Sequence, residues 1–318
     1  MNQPQMSVHS EPKMSLSKIV KGRITQPVRL VLYGPPGIGK STFAASAPAP
    51  IFIGAEKGTA QLDVERFAQP ETWLDVLDAI TELGTQQHGY QSLVIDTLDW
   101  IEPLIHAYVI NEENKSSNNK VTNIDAVGQG YGRGYALALT QWRKLITYLE
   151  RLSDLKKMNL LLLAHSQIKS FKNPEGSDFD RYELKLQSKA AGLVQEWIDE
   201  VLFCNYETCT TESKGRVRGI SSGARVIHTT RTAAFDAKNR HDLPDELPLS
   251  WEDYYSAISA REPAAAVDIK KAIAELLENA GSDIANKVTE RVEAAGNDAP
   301  KLTKILDRLR TVMKGQNK

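Results

Sequence analysis

Val28-Arg-Leu-Val-Leu-Tyr33-Gly34-Pro35-Pro36-Gly37-Ile38-Gly39-Lys40-Ser41-Thr42 is the stretch that decides the fold. Its first half is a short apolar run of the kind a strand buried on both faces presents. Its second half satisfies Gly-x4-Gly-Lys-[Ser/Thr], and the residues after it turn helical. Strand, glycine-rich turn and helix in that order make a phosphate cradle. The glycines let backbone N–H groups turn inward, and the helix N-terminus adds partial positive charge. Lys40 is expected to reach the β- and γ-phosphates, and the Ser41 hydroxyl to ligate Mg²⁺. Gly34 to Thr42 together form the expected nucleotide-binding segment. A guanine reader of the Asn-Lys-x-Asp type is missing, because Asn286-Lys287-Val288-Thr289 ends without the Asp. ATP is therefore the expected nucleotide.

Working outward, further apolar runs read as strands at Ile51–Ile53, Ser92–Ile95, Leu160–Ala164, Glu200–Cys204 and Arg225–Thr229. Helical patterns alternate with them. One starts at Lys40 and one spans about Glu71–Leu83, with Trp73, Leu74, Leu77 and Ile80 on one face. A third follows Asp96, and the longest covers about Gly134–Leu155. This alternation predicts an α/β fold, a mostly parallel sheet flanked by helices. Asn114–Gly132 and Lys169–Leu184 read as mobile loops, and Glu207–Gly223 as a long polar hairpin. Residues 1–15 read as a disordered polar arm, 16–260 as the core, and 264–318 as a small helical module after the Arg261-Glu-Pro linker. Gly281 and Gly296 punctuate its three amphipathic helices.

The cradle needs partners on neighbouring strands. Ser92-Leu-Val-Ile-Asp96 ends in a carboxylate and nominates Asp96 as the second metal ligand. Asp99, its rival, falls inside the following helix. Glu56, just past the second strand in Ala55-Glu56-Lys57-Gly58, sits at the carboxyl edge where ligands bind in open α/β sheets, and could orient the attacking water. On position alone a solvated Glu-Lys pair reads as well. Leu160-Leu-Leu-Leu-Ala-His165-Ser166-Gln167 ends a buried strand in polar groups. Both His165 and Gln167 suit a γ-phosphate sensor, with Gln167 preferred.

Taken in order, these elements resemble RecA/RadA-type P-loop ATPases, and most nearly the core-only phage single-strand annealing and recombination ATPases. The resemblance covers about residues 26–260. It implies that Glu56 is the catalytic glutamate of an Ala-Glu turn, that Asp96-Thr97 is the aspartate followed by a small hydroxyl residue, and that Gln167 is the strand-end glutamine. Ala237-Lys238-Asn239-Arg240 looks like the family's Lys-Asn-Lys segment, so Lys238 and Arg240 would reach a neighbouring subunit's γ-phosphate within a homo-oligomer. Two DNA-binding loops map onto about 114–134 and 168–186. They offer Lys115, Lys120 and Arg133, then Lys169, Phe171, Lys172, Arg181 and Lys185. Cations interleaved with rings suit single-stranded DNA. The chain departs from recombinases in lacking an N-terminal oligomerisation helix and in its Gly-Pro-Pro-Gly turn, which is shared with AAA+ proteins. Annealing or strand loading is thus expected rather than strand exchange. An AAA+ type ATPase acting on a protein partner is the second reading.

Composition narrows the rest. A net charge of −1 means that any polyanion contact must come from local patches. Two cysteines, Cys204 and Cys209, are too few for a disulfide framework and fit a reducing compartment. Residues 1–15 lack the apolar segment of a signal peptide, and no run approaches the ~18–20 apolar residues that cross a bilayer. No membrane association is expected, and the expected location is the cytoplasm, that of the host if the chain is phage-encoded. The basic last helix, with Lys301, Lys304, Arg308 and Arg310, reads either as a solvated face or as a dock for DNA, a single-strand-binding protein or another recombination protein.

Overall fold

The computed structural model describes residues 19, 26–54, 61–116, 120–213, 216–259, 264–277, 282–296 and 299–316. The arm at 1–15 and Glu56 lie outside the described residues. Chain contacts define two compact units, Gln26–Arg261 and one containing Glu262–Lys318.

The first unit is built on a sheet whose strands are β1 (Arg29–Gly34), β2 (Pro50–Gly54), β3 (Glu65–Arg66), β4 (Ser92–Asp96), β5 (Asn159–Phe171), β6 (Phe179–Leu184), β7 (Glu200–Ser213), β8 (Arg216–His228), β9 (Lys238–Asn239) and β10 (Glu246–Pro248). They line up as β10-β8-β7-β1-β5-β4-β2-β3, with β6 on β5 and β9 on β7. The centre is parallel, from β7 through β3. β6, β8, β9 and β10 are antiparallel additions at one edge and one end.

Period-two alternation along β1 sorts its side chains into two layers. Val31 and Tyr33 enter a core with Trp73, Ile80, Ile105 and Trp142. Leu30 and Leu32 enter another with Phe43, Trp251 and Tyr254. The first layer is supplied by helices α2 (Trp73–Thr85), α3 (Leu98–Ser116), α4 (Arg133–Lys156) and α5 (Ser188–Trp197), and the second by α1 (Lys40–Ala45) and α6 (Trp251–Ser259). A sheet with helices on both faces is the α/β class expected from the alternating pattern. In α2 one apolar residue faces outward: Leu74 is exposed, while Val76 and Leu83 join Trp73, Leu77 and Ile80 in the core.

Two stretches expected as loops are ordered differently. Residues 169–184 form a ribbon, in which β5 runs on to Phe171 and pairs with β6 from Ser166↔Leu184 to Phe171↔Phe179. A two-stranded ribbon standing off a sheet has wet faces, so its charges disguised the alternation. What stabilises it is the cross-strand pair Phe171–Phe179, with ring centres 5.1 Å apart. In 114–132, α3 continues to Ser116, and a 3-10 turn at Ile124–Gln129 buries Ile124 and Val127. Residues 208–213 of β7 and 216–221 of β8 pair antiparallel up to Ser213↔Arg216, in keeping with the hairpin read from the sequence. Cys204 is buried in β7, and Cys209 also falls within that strand.

The second unit packs α7 (Ala264–Leu277), α8 (Ser282–Ala295) and α9 (Ala299–Gln316) around Ile273, Leu302, Leu306 and Leu309. Among the described residues no helix is long and apolar enough to cross a membrane.

Candidate nucleotide site

β1 ends against β7 so closely that only glycine fits at position 34. A Cβ there would lie 2.2 Å from the carbonyl oxygen of Cys204 and 2.6 Å from its Sγ. The chain then turns, and Gly39 caps α1 with φ 113°, a left-handed conformation that a side chain would strain. Lys40, the first residue of α1, is buried. Its ammonium donates to the loop's own carbonyls, Gly34 O at 3.1 Å and Pro35 O at 3.0 Å. Burial pushes the neighbouring Cys204 thiol up to about 12, so it stays an unreactive packing group.

Sheet order determines what surrounds this turn. β5 lies between β1 and β4, with Gly34↔His165 and Asp96↔Leu163 in register, so the carboxyl ends of β1 and β4 flank β5 at His165, where β5 continues on towards the ribbon. Ser41 Oγ donates to Asp96 Oδ2 at 2.6 Å, although the two are 55 positions apart. A hydroxyl and a carboxylate oxygen at the mouth of a phosphate cradle are a donor set that fits a hard, oxygen-preferring divalent cation. The Asp96–Thr97 peptide bond is cis. A cavity of about 350 Å³ is lined by Gly37, Lys40, Ser41, Asp96, Thr97 and His165. A second, of about 230 Å³, shares Gly39 and Thr42 with it and adds Arg225, Leu249 and Trp251. Sequence reading missed this second chamber, since its walls come from β8 and α6, nearly two hundred positions beyond the P-loop.

His165 and Gln167 part company. His165 lines the cavity. Its ring Nδ1 lies 2.8 Å from Asp99 Oδ2, and its backbone N–H donates to Asp99 Oδ1 at 2.9 Å. Burial works to raise the Asp99 carboxyl, but the hydrogen bonds and charge of His165 outweigh it and hold the group below its usual range. Gln167, the preferred sensor from sequence, points elsewhere: its amide donates to Leu184 O at 2.7 Å and Leu186 O at 3.3 Å. Two steps along a strand keep a side chain on the same face but move it roughly 7 Å, enough to leave the phosphate turn for the ribbon.

The expected trans cations sit at the other end of the sheet. Asp199, which binds Arg240 at 2.9 Å, also binds Arg29 at 2.7 Å, and Arg29 starts β1. That end is roughly 16 Å from Gly34 along the strand. Lys238 is engaged by its own chain, donating to Gln195 O at 2.8 Å, Glu196 O at 3.0 Å and Ile198 O at 2.5 Å at the end of α5. Its ammonium is held below its ordinary range, chiefly by burial and then by Arg240.

The expected DNA contacts divide in the same way. Arg181 is buried, its guanidinium 4.0 Å from the centre of the Phe171 ring. Read from sequence as a phosphate ligand, it instead packs over the Phe171 ring of the ribbon's aromatic pair. Lys172 pairs with Asp178, Lys169 donates to Ser188 Oγ at 3.3 Å, and Lys185 lies 3.9 Å from Asp99. Lys115 pairs with Glu112 at 2.6 Å, Lys120 donates to Asn114 O, and exposed Arg133 donates to Gly128 O at 3.3 Å beside a fully exposed Tyr131.

A strand-turn-helix cradle with its lysine, hydroxyl and strand-end carboxylate defines the class, a P-loop nucleotide-binding protein. Residues 26–241 match the AAA domain family (AAA_24), and the chain belongs to it: it is a P-loop ATPase. Among solved structures, a RadB recombinase matches with 11% identity over 64% of this chain and 80% of that chain, TM-score 0.36. The flagellar accessory protein FlaH from Methanocaldococcus jannaschii matches with 8% identity over 66% and 88%, TM-score 0.29. Likeness at that level says nothing of what this chain acts on. No protein of curated function matches it significantly.

Proposed function

We propose that the chain hydrolyses ATP with Mg²⁺ and couples that cycle to binding single-stranded DNA, as an annealing or strand-loading ATPase that works as a homo-oligomer. The observation that carries the coupling is the continuity of β5: His165 lines the phosphate cavity, and the same strand runs unbroken to Lys169 and Phe171 in the ribbon. A strand is a stiff connector, so a change at its cavity end is transmitted to the ribbon rather than absorbed in a loop.

In this reading Lys40 leaves the carbonyls of Gly34 and Pro35 for the β- and γ-phosphates, and backbone N–H groups of Gly37 to Thr42 take the remaining oxygens. Mg²⁺, held by Ser41 and Asp96, supplies charge neutralisation on the phosphate oxygens. Glu56 orients the attacking water and receives its proton, giving ADP and inorganic phosphate. His165, fixed by Asp99, faces the terminal phosphate and senses its loss. The chamber with Arg225, Leu249 and Trp251 takes the nucleoside. Of the two distal cations we assign the neighbour's site to Arg240, which would leave one carboxylate, Asp199, whereas Lys238 would first have to release three carbonyls at the end of α5. The ribbon's Lys169, Phe171 and Lys172, with Lys115, Arg133 and Tyr131, offer phosphate and base contacts.

The test is fluorescence anisotropy of a labelled single-stranded oligonucleotide, with and without ATP and Mg²⁺, alongside a duplex probe and Lys40→Ala. Binding that needs ATP, prefers single strands and is lost in Lys40→Ala is the expected result. Absence of nucleotide-dependent binding at low salt would remove the DNA part of the proposal and turn the search to protein substrates.

A further inference from the structure

The C-terminal unit contains a groove that the ATPase cycle does not use. It runs between α8 and α9 and has a volume of about 570 Å³. Its floor is apolar, formed by Ile284, Val288, Ala295, Ile305 and Leu309. Its lining also holds five cations, Lys287, Arg291, Lys301, Lys304 and Arg308, and no carboxylate. The floor residues Ile284, Val288 and Ile305 are only partly covered by the three-helix core beneath them.

An apolar trough walled by one sign of charge selects for one kind of occupant: a chain that is apolar on one face and negative on its flanks. We infer that this groove docks an acidic amphipathic helix of a partner protein, in the helix-in-groove manner. The apolar face would dehydrate the floor, while Glu and Asp side chains meet the cations and steer the encounter.

Two other occupants fit less well. A nucleic acid strand would welcome the cations, but it binds proteins largely by stacking bases on rings, and residues 262–318 contain no Phe, Tyr or Trp. Nor would phosphates gain anything from an aliphatic floor. The chain's own first 25 residues carry Lys13, Lys18, Lys21 and Arg23 against Glu11, the wrong sign for these walls.

The experiment uses the full chain without nucleotide and a fluorescein-labelled 14-residue peptide with Leu and Phe at i, i+3, i+4 and i+7 and Glu or Asp elsewhere. Anisotropy should show saturable 1:1 binding that weakens with added salt. A peptide of equal charge with the apolar residues changed to Ser should bind at least tenfold more weakly. The Lys304→Glu/Arg308→Glu variant alters only exposed positions, so its helicity by circular dichroism should match wild type while its affinity for the parent peptide falls at least tenfold. Three results would overturn the inference. One is no saturable binding up to ~100 μM, which leaves less than about 5.5 kcal/mol of affinity. Another is equal binding of the Ser peptide or of the charge-reversed protein. The third is displacement of the peptide by an unlabelled single-stranded oligonucleotide at lower concentration than by the unlabelled peptide, which would make the groove a nucleic acid site.

Discussion

Asparagine in place of Asp99 separates the orienting of His165 from the packing around it. The Asp99 side chain is 3% exposed and accepts two hydrogen bonds from His165, one from the backbone N–H and one at the ring. Asparagine keeps an oxygen for the backbone N–H, so the fold should survive. At the ring, a charge-assisted contact of about 1.5–3 kcal/mol becomes a neutral one of about 0.5–1.5. The difference, ~1–2 kcal/mol, corresponds to a roughly fivefold to thirtyfold lower kcat if it is expressed in the transition state. KM for ATP should change little, because the ring is not what holds the nucleotide. Melting should fall by about 2–4 °C for each kcal/mol lost from a unit of this size. Loss of the Lys185 contact adds little, since that ammonium is 58% exposed. There is also a pH signature. The Asp99 carboxyl is held low against the opposing pull of burial, so its contribution is present above the ordinary carboxylate range and is lost as pH falls through the lowered folded value. The variant should therefore lose less stability than wild type on the acid limb below about pH 4. Steady-state ATPase assays and thermal melts between pH 3 and 8 give both readouts. A kcat within twofold of wild type, with an unchanged acid limb, would refute the idea that Asp99 positions His165.

Other consequences follow from the same contacts. Gly34→Ala drives a methyl into the Cys204 backbone and should cost about 3 kcal/mol, lowering the melting temperature by roughly 6–12 °C; a drop under 2 °C would mean that β1 and β7 are not so close. The His241 imidazolium is raised above 6.5, first by its hydrogen bond to buried Glu200 and against burial, so its stabilisation is full below that pH and fades as pH rises through the raised folded value. His241→Gln should flatten stability across that window, and an unaltered pH curve would argue against the pair. Arg181→Ala removes a guanidinium packed on Phe171, a contact of about 1–2 kcal/mol, and should speed amide hydrogen exchange at 168–171 by roughly fivefold to thirtyfold. Unchanged exchange there would show that the ribbon stands without it.

How much the sequence disclosed depended on how local each feature was. The P-loop, the β4 strand and the alternation of strands and helices are written in contiguous residues, and the α/β sheet follows from them. Ser41 and Asp96, nominated from separate segments, come together because parallel strands bring their carboxyl ends to one edge. Asp99 was set aside for lying in a helix. It does lie in the first turn of α3, and from there it reaches back to β5, a tertiary contact that no periodicity encodes. Lys238 read as a cation reaching towards a neighbouring subunit, because the three helix-end carbonyls that accept from it lie some forty positions earlier in the sequence. The ribbon escaped notice because charge and aromatic residues alternate there without an apolar face. The walls of the second chamber, Arg225 and Trp251, belong to elements that meet the P-loop only in the folded chain.

Ser41 and Asp96 are the residues proposed to hold the metal beside the Lys40 cradle. ATP hydrolysis by wild type, Lys40→Ala and Asp96→Asn, measured as phosphate release across a Mg²⁺ titration, tests that most directly. The expected outcome is Mg²⁺-dependent turnover in the wild type and a loss of about 10²–10³ in kcat for Asp96→Asn, corresponding to ~3–4 kcal/mol of transition-state stabilisation. Its fold should be retained, and Lys40→Ala should fail to bind nucleotide. Wild-type turnover by Asp96→Asn at the same Mg²⁺ concentration would contradict it.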